Sequence, residues 1–230
     1  TAARARASGA DILEVSEKVL SSITKRDNPQ MVISVLRQNW ADATALLKQQ
    51  HHADDTLVVL DRVRDPGNLG TIIRTADGVG AKGCLLLGDC TDPFGIEAVR
   101  ASMGSVFHMP VARCSLQEFL DNRSNFNGRL VGTHLEGSVD YRKPDYSTGP
   151  MALIMGNERA GMPPEQAKVC DTLIRIPMIG GADSLNLAVA TGISLYEMRR
   201  HALRDAASDV SARALSYGRA DVETADTGDV

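Results

Sequence analysis

The sequence predicts an α/β protein: a mostly parallel sheet with helices on both faces. Three observations carry that expectation. Short apolar runs of strand length recur along residues 57–177. Segments of helical periodicity separate them. Turns rich in Gly, Asn and Pro follow the strand ends.

The elements follow in chain order. In DILEVSEKVLSSI (11–23), Ile12, Val15, Val19 and Ile23 stand at helical spacing. MVISVL (31–36) follows Asn28-Pro29 and reads as a strand, and the polar residues 37–55 read as a linker. One helix and one strand cannot bury a core, so residues 1–52 look like the end of a small α/β domain plus its linker. LVVLD (57–61) is a buried parallel strand. RVRDPGN turns the chain into a helix over Leu69–Val79. GCLLLGD (83–89) is a strand, 94–103 a helix, SVFHMPV (105–111) a short strand and 115–121 a helix. RLVGTH (129–134) is a strand, 136–150 a loop and MALIMG (151–156) a strand. A short helix near 163–169, a strand TLIRIP (172–177) and a helix from Leu185 to Leu203 complete the domain, taken as 53–204. Residues 205–230, rich in Ala, Asp and Ser, read as an acidic tail.

Hydrophobic residues are 43% and charged residues 23%, which excludes a disordered or fibrous chain. No apolar stretch approaches the roughly 20 residues that span a bilayer, so no membrane partner is expected. The net charge of −4 lies entirely between Asp205 and Val230, where six acidic residues face two basic ones. A balanced remainder neither indicates nor excludes a nucleic-acid partner, because a local patch suffices. Cys84, Cys90, Cys114 and Cys170 form no CxxC. The expectation is therefore no metal, with reduced thiols in a cytoplasmic compartment. Residue 1 is Thr, and the Ala/Arg-rich start lacks the apolar core of a signal peptide. The expectation is a chain that begins inside a longer protein.

Ligands of open α/β sheets gather at the carboxyl ends of strands, and three such ends are chemically rich. Asp65-Pro66-Gly67-Asn68-Leu69-Gly70 leads to Arg74. Asn68 is a candidate helix cap there, and Arg74 could simply pair with Asp77 on the surface. Gly156-Asn157-Glu158-Arg159-Ala160-Gly161 follows a strand directly. It has neither GxGxxG nor GK[ST], so a dinucleotide or ATP site is unsupported. Ile176-Pro177-Met178 precedes a Gly-rich loop and Ser184-Leu185-Asn186, with Ser184 a candidate cap. Singly, each is an ordinary turn.

Together and in this order they resemble the SpoU (TrmH-like) family of RNA ribose 2′-O-methyltransferases, of the SPOUT superfamily, over about 57–203. Glu97-Ala98-Val99-Arg100-Ala101-Ser102-Met103-Gly104-Ser105 is similar to its ribosomal RNA branch, which includes thiostrepton-resistance enzymes. The resemblance implies a C-terminal trefoil knot, S-adenosylmethionine as cofactor, a homodimer with its site near the subunit interface, and an RNA-binding front domain. It implies an adenosine pocket of Thr133, Gly156, Ile176, Met178 and Leu185. It implies catalytic Arg74, Asn68, Glu158, Ser184 and Asn186, and RNA contacts at Arg74 and Arg100. In the family proposal a substrate phosphate helps Arg74 relay the proton. Arg74 as a positioner of ribose and phosphate uses the same residue, since an Arg stays protonated. Ribosomal RNA is the expected substrate, with transfer RNA the alternative. A non-catalytic knotted RNA-binding protein would have little need of Asn68, Arg74, Glu158, Ser184 and Asn186 together. A Ser/His hydrolase is disfavoured because GxSxG is missing and His51, His52, His108, His134 and His201 follow no motif.

Overall fold

Alternation along the strands builds the core. In the computed structural model, which describes residues 2–25, 27–134 and 138–204, strand β1 (Thr56–Asp61) is buried along its whole length. Its Val58 and Leu60 enter one hydrophobic cluster, and Leu57 and Val59 enter another. The same period of two divides β2 (Gly83–Leu87) and the strand Met151–Met155. A sheet buried on both faces needs helices on both, which is why its strands read as continuous apolar runs.

Among the described residues, seven strands pair in parallel throughout. After β1 and β2 come β3 (Val111–Cys114), β4 (Arg129–Thr133), β5 (Val139–Asp140), β6 (Met151–Met155) and β7 (Thr172–Arg175), in the spatial order β3-β2-β1-β6-β4-β7-β5. The helices are α1 (Ala2–Ala7), α2 (Glu17–Thr24), α3 (Ala43–Lys48), α4 (Pro66–Gly78), α5 (Ile96–Ser102), α6 (Leu116–Asp121), α7 (Pro164–Val169) and α8 (Leu187–Met198). On one face, Leu69, Ile72 and Ile73 of α4 and Leu195 of α8 cover the sheet. On the other, Leu46 and Leu47 of α3 and Phe119 of α6 do so. Phe119 is fully buried. Phe119→Ala is expected to cost about 3–5 kcal/mol, read as a lowered urea midpoint; a midpoint equal to wild type would contradict this packing role.

The chain divides into two compact units, one up to Gln38 and one from Asn39 onward. In the first, the expected helix over 11–23 is confined to α2, and the expected strand at 31–36 is not formed. Met31 and Val35 are exposed there, and a β-prone run without a neighbouring strand has nothing to satisfy its backbone. α1 was not foreseen.

The second unit corrects further expectations. Residues 39–52 are not a linker: Ala41 bridges Ala112 of β3, Trp40 meets Phe94 edge-to-face at 5.0 Å, and α3 buries two leucines. Six residues with two buried positions are too short for periodicity to stand out. The strand expected at 105–111 begins only at Val111, because Ser105–Phe107 form a 3₁₀ turn. β5 lies within the expected loop 136–150, and its two residues give no pattern. α8 starts at Leu187 rather than Leu185. The acidic tail, 205–230, lies outside the described residues. No helix among the described residues is long and apolar enough to cross a membrane.

Candidate active site

The carboxyl ends of β4, β6 and β7 are neighbours in the sheet, and their loops enclose a cavity of about 760 Å³. Asn68, Thr133, Gly156, Glu158, Ile176, Met178, Ser184, Leu185 and Asn186 all line it. The three stretches singled out in the sequence therefore meet, although 118 residues separate Asn68 from Asn186.

They meet through one chain of side-chain hydrogen bonds. The Asn186 amide donates to Asn68 Oδ1 at 2.9 Å. Asn68 Nδ2 in turn donates to Glu158 Oε1. Local folding sets each member. Asp65, not Asn68, caps α4, accepting from the Asn68 backbone N–H at 2.6 Å, with Pro66 in the first turn. Asn68 thereby keeps its side chain for the cavity. Likewise Asn186, not Ser184, caps α8: its Oδ1 accepts from Ala188 N at 2.9 Å and Val189 N at 3.3 Å. An Asn cap accepts with one atom and donates with another, so its Nδ2 reaches Asn68 while Oδ1 caps the helix. Ser184 stays exposed at the cavity rim.

The wall formed by 156–161 is a tight hairpin. Asn157 and Gly161 exchange backbone hydrogen bonds at 2.9 and 3.0 Å. Gly161 has φ +67°, in the left-handed region. A Cβ at Gly156 would lie 2.5 Å from Met162 N and 2.6 Å from the Gly161 carbonyl carbon, so only glycine fits. The hairpin is tied to the end of β1, where Asn157 Nδ2 donates to the Arg62 carbonyl at 2.9 Å. Arg62 (φ +48°) is bonded through its guanidinium to the buried Asp61 carboxylate, which holds its pKa above the ordinary arginine value.

Arg74 and Arg100 do not line the cavity. Arg74 is exposed on α4, and the pairing with Asp77 is not formed: Asp77 accepts from Ser105 Oγ at 2.7 Å and stands 3.4 Å from His108 Nδ1. Nor does Glu158 hold Arg74, since its recorded partner is Asn68. Arg100 is exposed on α5, which packs closely on α4. Gly70 makes that approach possible, since a Cβ there would lie 2.3 Å from the Ala98 carbonyl oxygen.

Sequence reasoning missed His134, Met155, Arg159, Met162, Arg175 and Asp183, which also line the cavity. Each is at or within about six residues of a strand end recognised in the sequence, and that adjacency was the available signal. Cys170, beyond Met162, offers no nucleophile: burial pushes its thiol up to about 12. No cluster of three metal-ligating side chains occurs among the described residues.

Known proteins resemble this chain in sequence and in fold. Residues 55–196 match the SpoU rRNA methylase family. The chain is 35% identical over 186 residues to the 23S rRNA (guanosine(2553)-2'-O)-methyltransferase RlmP of Bacillus subtilis strain 168, covering 80% of this chain and 71% of that relative. It is similar to the AdoMet-bound rRNA methyltransferase from Sinorhizobium meliloti, with TM-score 0.82 and 54% identity over 87% of this chain and 76% of that one. It is also similar to the SpoU methyltransferase AviRb from Streptomyces viridochromogenes in complex with AdoMet, with TM-score 0.70 and 30% identity over 87% and 78% of the two chains. A match over more than half of the chain, on the segment that holds all three cavity loops, places the protein in the SpoU rRNA methylase family.

Proposed function

We propose that this protein transfers a methyl group from S-adenosylmethionine to a ribose 2′-hydroxyl of ribosomal RNA. The observation that carries the proposal is the Asn186–Asn68–Glu158 hydrogen-bond chain at the cavity. The names of the similar proteins agree with this reaction and substrate.

The cavity suits the cofactor. Its volume is in the range of small-molecule sites, about 300–1,000 Å³. Ile176, Met178 and Leu185 offer apolar surface for an adenine ring, and Gly156 brings backbone close to the ligand. We assign Thr133, Gly156, Ile176, Met178 and Leu185 to cofactor binding. When bound, S-adenosylmethionine supplies a methyl on a positively charged sulfur, which moves in line to the ribose oxygen and leaves a neutral thioether. As the new O–C bond forms, the hydroxyl O–H bond breaks and its proton leaves to solvent water, so the chain's own task is alignment. Asn68, held by Glu158 and Asn186, presents a fixed amide at the cavity rim for the ribose, and Ser184 adds a hydroxyl beside it.

A guanidinium is a poor general base, so Arg74 is assigned to positioning ribose and phosphate. Its exposure outside the cavity of its own chain supports a homodimer in which each cavity receives Arg74 from the other copy. Arg100 contacts RNA phosphate, and residues preceding the second unit belong to an RNA-binding front domain. Insertion of β7 between β4 and β5 supports the family's trefoil knot.

Radiolabelled methyl transfer to ribosomal and transfer RNA, followed by mapping of the modified ribose, tests the reaction. Label in ribosomal RNA at a 2′-oxygen is expected; label in transfer RNA alone overturns the substrate, and label in neither overturns the reaction. Mixed dimers test Arg74. Arg74→Ala and Asn68→Ala homodimers are each expected to be nearly inactive. Random assortment of the two restores about a quarter of wild-type activity, because half the dimers then hold one complete site. No recovery would place Arg74 in its own cavity or out of the reaction.

A further inference from the structure

The hairpin carrying Glu158 is held by a tie that the reaction described above leaves unused. The Asn157 side chain makes three hydrogen bonds: Oδ1 accepts from Arg159 N at 3.0 Å and Ala160 N at 2.9 Å, and Nδ2 donates to the Arg62 carbonyl at 2.9 Å. The first two close the turn, as Asn side chains commonly do. The third runs across 95 residues to the end of β1. Its acceptor is itself fixed. Arg62 N donates to the Leu87 carbonyl at 3.0 Å, and the Arg62 guanidinium bonds the buried Asp61 carboxylate through Nε and Nη2. These contacts hold a non-glycine residue in the left-handed region, an arrangement that persists only where its surroundings over-determine it.

We propose that Asn157 is a positioning residue, which through its Nδ2 bond to Arg62 locks the hairpin onto the end of β1 and so sets Glu158 against Asn68. Exposed Glu158 has a flexible side chain and sits at the tip of a five-residue turn. A side chain of that kind holds one geometry only if its backbone is anchored. The Asp61–Arg62 pair is the anchor, and Asn157 is the link between the anchor and the turn. The inference rests on the methyl-transfer reading for its rate measurement only; its structural measurement does not need that reading.

Asn157→Asp separates the two roles. The aspartate still accepts from Arg159 N and Ala160 N, so the turn closes. It has no proton for Arg62 and sets a carboxylate oxygen against a carbonyl oxygen. In ¹⁵N-edited spectra of the full chain without ligand, the Asn68 side-chain amide, identified by its loss in Asn68→Asp, reports the bond to Glu158. Asn157→Asp is expected to move that resonance toward the position it takes in Glu158→Gln. Single-turnover methyl transfer at saturating cofactor is expected to fall about tenfold. In a Glu158→Gln background the same substitution is expected to add no further loss, because Asn157 acts through Glu158. Asn157→Ser, whose hydroxyl still accepts but is one bond shorter than the amide that reaches the Arg62 carbonyl, is expected to repeat the pattern and serves if the aspartate variant fails to fold. An unmoved Asn68 resonance, or an equal rate loss in the Glu158→Gln background, overturns the proposal. A wild-type protein without methyl transfer overturns the functional reading, while the Asn68 resonance still decides the role of Asn157.

Discussion

Asn68→Ala lowers methyl transfer about a hundredfold at saturating cofactor and RNA, the scale at which misplacing a reacting group is felt. Its side chain joins Asn186 to Glu158, so the truncation strands a donor on one and an acceptor on the other. The fold tolerates the change. The α4 cap uses the backbone N–H of residue 68 and the Asp65 carboxylate, and both survive in the variant. The expected signature is a rate loss without a comparable loss of thermal stability or of cofactor affinity. Single-turnover kinetics beside calorimetry measure this, and a rate within threefold of wild type would reject Asn68 as the pivot.

Gly156→Ala strikes cofactor binding instead. The added carbon would lie within 2.8 Å of Met162 N and of the Gly161 carbonyl carbon and oxygen, all of them backbone atoms that cannot rotate away. Relief requires opening the 157–161 hairpin, which forms one wall of the cavity. Cofactor affinity is expected to fall at least about tenfold, with a stability loss of about 1–3 kcal/mol, as for other overpacked sites. Calorimetric titration with S-adenosylmethionine checks the first and urea unfolding the second. Retained affinity would mean that this wall does not touch the ligand.

Much of the site was legible in the sequence because each loop follows a strand that is apolar throughout. β1, β2, β4, β6 and β7 announced themselves, and with them the positions of Asn68, Glu158 and Asn186. The partners of those residues were not legible. Hydrogen bonds across 90 and 118 residues leave no mark on local spacing. Two caps were misread. For α4 the signal was present, because Pro66 in the first turn requires its cap at Asp65; for α8 it was not, because the helix starts at Leu187 and not at the expected Leu185. Arg74 could also have been separated from Asn68 in advance. Six residues along a helix turn it by about 240°, so the two point to different faces. α3 and β5 escaped notice because six and two residues are too few to show a period.

Bulk at position 70 would act as a wedge, since a Cβ there would press on the Ala98 carbonyl oxygen, the Ala101 methyl and the Ser102 backbone nitrogen. With glycine there, the helix bearing the Asn68 pivot and the helix bearing Arg100 are seated as a single plate. Anything larger than hydrogen at this position would force the two helices apart and shift Asn68 relative to the sheet.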